Sequence, residues 1–129
     1  MFLRDARQAL SWAPRGPFDT GTIHGDWHSG NLIFRGNSLA AIVDLEFAGD
    51  GCFLEDLAYA ISNLCVRSTM KPERLTKRVN MLLDHYQQYR RLSFAEEAAL
   101  YYAVGVKHVA TVAYQMQQGL RIAGYGPVE

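Results

Sequence analysis

The chain has 129 residues, 49% of them hydrophobic and 20% charged, and its thirteen basic and thirteen acidic side chains cancel. That length suffices to bury roughly two-thirds of the unfolded surface, and the composition is that of a folded globular domain, which excludes a disordered chain and gives no electrostatic reason to expect nucleic acid or an anionic membrane as partner. No apolar run can span a bilayer and no signal-type N-terminus is present, so residues 1–129 read as a single domain with the cytoplasm as the expected compartment.

Residues 1–12 place Phe2, Leu3, Ala6, Ala9 and Leu10 on one helical face, which Pro14-Arg15-Gly16-Pro17 ends. The stretch to Thr22 is expected to be a connector. Residues 31–35 (Asn-Leu-Ile-Phe-Arg) and 39–45 (Leu-Ala-Ala-Ile-Val-Asp-Leu) are strand-like, and Gly36-Asn37-Ser38 is a tight turn between them, so a short hairpin is predicted. From Phe53 the period becomes helical, with Leu54, Leu57, Ala58, Ile61, Leu64 and Cys65 on one stripe and Asp56 in the first turn, where an acid favours the helix's positive end.

Pro72 at an N1-like position with Glu73 behind it opens a second helix, striped by Leu75, Val79, Leu82, Leu83, Tyr86 and Tyr89. Ser93 and Glu96 form a capping-box pattern for a third that runs to about Gly119, with Phe94, Ala98, Tyr101, Val104, His108, Val112 and Gln115 near one face. The tail from Gly124 to Glu129 is expected to fray. Tyr86, Tyr89, Tyr101, Tyr102 and Tyr114 are expected as core and rim packing before any acceptor pocket, and His85 and His108 as structural. Cys52 and Cys65 lie without companion histidines at zinc spacing and are expected to be free thiols. The fold class is therefore α+β and mostly helical.

One constellation carries chemistry. His24 and Asp26 are two apart, Asn31 follows five residues after Asp26, and Asp44 stands thirteen further on, which is the order of groups in the kinase phosphoryl-transfer template. A hydroxyl nucleophile needs a carboxylate to take its proton, the role open to Asp26. Mg²⁺ prefers hard oxygen ligands, and Asn31 and Asp44 supply an amide carbonyl and a carboxylate. The hairpin brings its outer ends, and hence these two residues, together. Gly25 and Gly30 bracket the loop and give its backbone freedom.

The segment from about Thr22 to Ala60 resembles the C-terminal lobe of the aminoglycoside phosphotransferase and choline kinase-like family of small-molecule kinases, which also takes in type II homoserine kinases. The matching motifs are His24 to Asn31, Val43 to Glu46, and Asp56-Leu57-Ala58. The resemblance implies a protein-kinase-like C-terminal lobe with a catalytic loop, a short hairpin and about three packed helices after it, using Mg²⁺ and ATP to phosphorylate a small hydroxyl-bearing acceptor. It implies Asp26 as the catalytic base, Asn31 and Asp44 as Mg²⁺ ligands, and His24 and Asp56 as supports for the loop. Asp44-Leu45-Glu46 in place of Asp-Phe-Gly sets the chain nearer the small-molecule kinases than the protein kinases, with Glu46 as a carboxylate beside the metal.

Only 23 residues precede His24, and Gly49-Asp50-Gly51 and Gly124-Tyr125-Gly126 are expected as turns, so the N-terminal nucleotide lobe is expected to be absent. The chain then reads as a fragment or truncated relative with little activity alone. Two other readings stand beside it. One is a kinase-lobe remnant without activity that self-associates, as in a homodimer, or pairs with another chain through surface left bare. The other is a zinc-type hydrolase using His24, Asp26 and His28, with Asp44 as a fourth ligand.

Overall fold

The computed structural model describes Ser11, residues 16–66 and residues 70–117, apart from the side chains at positions 115 and 116. The predicted helix over residues 1–12 and the predicted frayed tail lie outside the described residues. Along the chain the elements are β1 (Thr20–Ile23), a 3₁₀ turn (Ser29–Asn31), β2 (Leu32–Arg35), β3 (Ser38–Ile42), β4 (Gly49–Cys52), α1 (Phe53–Ala60) continued by a π turn (Ile61–Cys65), α2 (Pro72–Tyr86) and α3 (Phe94–Gln117). The expectation of an α+β, mostly helical fold with a hairpin and three helices after it matches this order.

The strands form two separate antiparallel pairs, β1 with β4 and β2 with β3. The first pair corrects two expectations, a connector up to Thr22 and a turn at Gly49-Asp50-Gly51. Thr20 to Ile23 pairs in register with Cys52 to Gly49. Glycines hide this strand from propensity, and close packing accounts for two of them. A Cβ on Gly51 would stand 2.4 Å from Ile23 Cδ1, and one on Gly21 2.2 Å from Phe53 Cζ.

The β2–β3 hairpin is shorter than predicted. Arg35 opposes Ser38, so the connection is the two residues Gly36-Asn37, with Gly36 at φ +60° as the first central position of a primed turn requires. A bulge between Ile33 and Phe34 shifts the register. The ladder ends at Ile42, although Val43 N–H still donates to Asn31 O at 3.0 Å. Asp44 consequently lies beyond the strand, at φ +61°.

The core sits among the helices. Leu57, Ile61 and Cys65 form its buried centre, with Leu75, Val79, Leu82 and Leu83 of α2 and Leu100 and Val104 of α3 packed around it. Burying side chains of this size stabilises by about 1.5–3 kcal/mol each, which an eight-residue helix such as α1 requires, because one so short is marginal by itself. Of the predicted α2 stripe, Tyr89 falls away: the helix ends at Tyr86, and Tyr89 is 92% exposed. Among the described residues no helix is long and apolar enough to cross a membrane.

The α3 face also needs correction. Of the predicted stripe Val112 is buried and Val104 packs on the core, but Phe94, Ala98 and Tyr101 are exposed, whereas Glu96 and Ala99, outside that stripe, are buried. The cause lies in the cap. Ser93 N–H donates to Glu96 Oε2 at 2.9 Å and Glu96 N–H to Ser93 Oγ at 3.2 Å, the reciprocal pair predicted from the sequence. Glu96 is fully buried and also accepts from Arg90 Nη2 at 2.6 Å, so the helix turns this residue inward. Burial alone would raise the Glu96 carboxyl's pKa, yet the Arg90 guanidinium and Ser93 N–H outweigh it and hold it below the ordinary range. Arg90 further pairs with Asp19 at 3.0 Å and lies 4.8 Å over the Phe53 ring, which ties the entry to β1, the start of α1 and the start of α3 together.

Candidate active site

The loop between β1 and β2 crosses the N-terminal turns of α1, and Asp56 of that helix holds it. One carboxylate accepts from His24 N–H (3.4 Å), Gly25 N–H (2.8 Å) and the indole Nε1–H of Trp27 (2.7 Å). Gly25 is required at its position: it has φ +81°, and a Cβ there would meet Phe47 O at 2.6 Å. Gly30, by contrast, is not in the left-handed region; a Cβ would meet the His28 ring at 2.9 Å.

His24 is buried, and both its ring nitrogens face inward. Asp26 N–H donates to Nδ1 at 3.2 Å, so the proton sits on Nε2, which donates to Val43 O at 3.1 Å. Its ring stacks on Trp27 with centroids 4.6 Å apart. This imidazole therefore joins the loop to the residue that precedes Asp44. With both nitrogens committed it has none left for a cation, and among the described residues no three His, Cys, Asp or Glu side chains gather as a metal set. The structure thus does not assemble the His24, Asp26, His28 and Asp44 ligand set of the hydrolase reading.

Asp26 is the focus of the remaining contacts. Its Oδ1 accepts from the Tyr59 hydroxyl at 3.0 Å, and its Oδ2 faces Asn31 Nδ2 at 3.1 Å and His28 Nε2 at 3.4 Å. Gly30 N–H donates to His28 Nδ1 at 3.1 Å, which leaves Nε2 as the nitrogen that bears hydrogen toward Asp26. Asn31 is 4% exposed and also donates to Asp26 O at 3.0 Å. With the amide nitrogen so engaged, the Asn31 carbonyl oxygen, the atom a cation would use, accepts no hydrogen bond from the described residues. Asp44, exposed, likewise has no hydrogen bond or ion pair among them, and Glu46 is exposed in the turn that Ala48 N–H closes onto Leu45 O at 3.1 Å.

Sequence reasoning missed Trp27, Tyr59 and Asn63. Asn63, on the π turn, donates to Trp27 O at 3.0 Å. Burial first, then the hydrogen bond to Asp26 and its charge, raise the Tyr59 pKa, so this hydroxyl stays a donor. Asp56, Tyr59 and Asn63 fall three and four residues apart, a polar stripe beside the apolar one that marks α1 as facing something polar. The tyrosines offered as an acceptor lining are dispersed: Tyr89, Tyr101 and Tyr114 are exposed, while Tyr101 and Tyr102 border an apolar hollow of about 600 Å³ lined also by Leu75, Val79 and His108. No residue of the 24–44 segment lines it. Cys52 and Cys65 are not joined in a disulfide, as expected, and the Cys65 thiol donates to Arg78 O at 3.9 Å.

Residues 3–100 match the family model described as the phosphotransferase enzyme family. Curated relatives named homoserine kinase share 33% identity over 90 residues in Rhodopseudomonas palustris (70% of this chain, 26% of the relative), 37% over 87 residues in Mesorhizobium japonicum (67% and 26%) and 36% over 96 residues in Rhodospirillum rubrum (74% and 28%). The chain thus spans about a quarter of the length of the relatives it matches.

Proposed function

The chain belongs to the phosphotransferase enzyme family, the group of aminoglycoside phosphotransferase and choline kinase-like proteins, and from that premise we propose that it carries the catalytic loop of a cytoplasmic kinase that moves a phosphoryl group from ATP to a small hydroxyl-bearing molecule. In this reading Asp26 takes the hydroxyl proton, while Asn31 Oδ1 and the Asp44 carboxylate hold Mg²⁺ with Glu46 beside it. Their donor set fits the ion: two hard oxygens, uncommitted, on residues that the Val43 N–H to Asn31 O bond makes neighbours in the hairpin. Bound there, Mg²⁺ would neutralise the oxygens of the transferring phosphate. Asp56 and His24 fix the loop backbone, so Asp26 is positioned before substrate arrives and the barrier loses part of its entropic cost.

The observation that carries this reading is the Asp26–Asn31 contact, which holds the proposed base on the residue whose carbonyl would face the metal. The likeness to three proteins named homoserine kinase favours a hydroxyl amino acid of the homoserine type as acceptor, ahead of an aminoglycoside. The chain spans about a quarter of the length of these relatives, so turnover is taken to need a nucleotide-covering lobe supplied from beyond the described residues. The exposed side chains Ile33, Phe34, Leu45 and Phe47 offer apolar surface for that lobe or for a second copy. Assays of Mg-ATP turnover with homoserine, other amino alcohols and aminoglycosides test the reading: Asp26→Asn should cost at least about a hundredfold in kcat. Turnover unaffected by Asp26→Asn would contradict it, and full turnover by the isolated chain would remove the need for another lobe.

A further inference from the structure

The carboxylate of Asp26 offers about four lone-pair positions, two on each oxygen. Among the described residues two hydrogen bonds reach it, from Asn31 Nδ2 to Oδ2 and from the Tyr59 hydroxyl to Oδ1, and His28 Nε2 stands 3.4 Å from Oδ2. Oδ2 is therefore flanked on two sides, and Oδ1 is the oxygen with a position left open. We infer that Tyr59 is a positioning residue that turns the Asp26 carboxylate so that Oδ1 takes the acceptor's proton. The inference rests on the proposed reading of Asp26 as base. In the step, the acceptor O–H bond breaks as its proton passes to Oδ1, the new O–P bond forms, and the bond from that phosphorus to the nucleoside diphosphate leaving group breaks.

The geometry around Tyr59 suits the task. Lys107 Nζ lies 5.9 Å above the Tyr59 ring while pairing with Glu55 at 3.7 Å, so the phenol is also met from α3. Asp56 anchors the loop from one turn earlier on the same helix, which gives loop and base a common reference.

Steady-state kinetics of the complete protein compare wild type, Asp26→Asn, Tyr59→Phe and the double variant. Expected is a loss of about tenfold in kcat for Tyr59→Phe, with the nucleotide KM and the melting temperature unchanged, and a double variant no slower than Asp26→Asn. Wild-type kcat in Tyr59→Phe, or an equal fold-loss in both backgrounds, would overturn the inference. Unimpaired Asp26→Asn would instead sink the base assignment and the inference with it. A crystal structure of Tyr59→Phe decides independently of turnover: a rotated or doubled Asp26 carboxylate supports the role, and a carboxylate superposed on the wild type overturns it.

Discussion

The loop of residues 24–31 and the hairpin it enters are adjacent in sequence but are held in opposite ways. In the loop, His24, Gly25 and Trp27 donate to one carboxylate on α1, Asp26 and Asn31 bond each other, and Asn63 takes the Trp27 carbonyl. The hairpin has its own ladder and little else: Ile33, Phe34, Leu39 and Ile42 are all more than two-fifths exposed. Polar side chains thus fix the loop, whereas these apolar side chains of the hairpin stay exposed. A group that must meet a reacting atom gains from the first arrangement, and a surface that must receive another body gains from the second.

Substitutions can break this contrast. The largest effect is expected at the helical base on which the loop rests: Glu96→Ala leaves Arg90 and the Ser93 N–H without their buried acceptor and should destabilise by about 3–5 kcal/mol in denaturant unfolding. The same site predicts a pH effect. Because the folded-state pKa of Glu96 is depressed, its contribution is complete above the unfolded-state value of roughly 4.3 and is lost as pH falls through the lower folded value. Melting curves from pH 6 downward should therefore decline less steeply in Glu96→Gln.

Next comes Asp56→Ala, which removes the acceptor of three loop donors; about 2–3 kcal/mol should be lost, with faster amide exchange at residues 24–27 as the local sign. Gly25→Ala should cost about 1–2 kcal/mol from its left-handed backbone alone, and more from the approach of Phe47. At the other end of the scale, Phe34→Ser on the hairpin should change stability by no more than about 0.5 kcal/mol while reducing self-association seen by light scattering. A large loss there would show that the hairpin face packs against the chain itself.

How far the sequence discloses this arrangement depends on the kind of signal. Apolar periodicity located α1 and α2, and the Ser93–Glu96 spacing located a cap that the hydrogen bonds bear out. The same cap misled on the first turns of α3, because the pattern does not say that Glu96 goes inside, where Arg90 from outside the helix and the Ser93 N–H both meet its carboxylate. β4 stayed hidden because Gly49, Asp50 and Gly51 have poor strand propensity, and Gly51 leaves room for Ile23, a contact set by a strand distant in sequence. In the site, motif spacing singled out His24, Asp26, Asn31, Asp44 and Asp56. Tyr59 was not legible, since its role arises from α1 lying against the loop, a tertiary relation with only the polar stripe at 56, 59 and 63 to announce it.

Manganese-induced line broadening in the ¹H–¹⁵N spectrum of the folded chain, with nucleotide present, tests most directly whether Asn31 and Asp44 form one cation site. The account predicts selective broadening of the Asn31 side-chain amide and the Asp44 backbone amide, abolished by Asp44→Asn. Broadening centred elsewhere, or unchanged in Asp44→Asn, would contradict it.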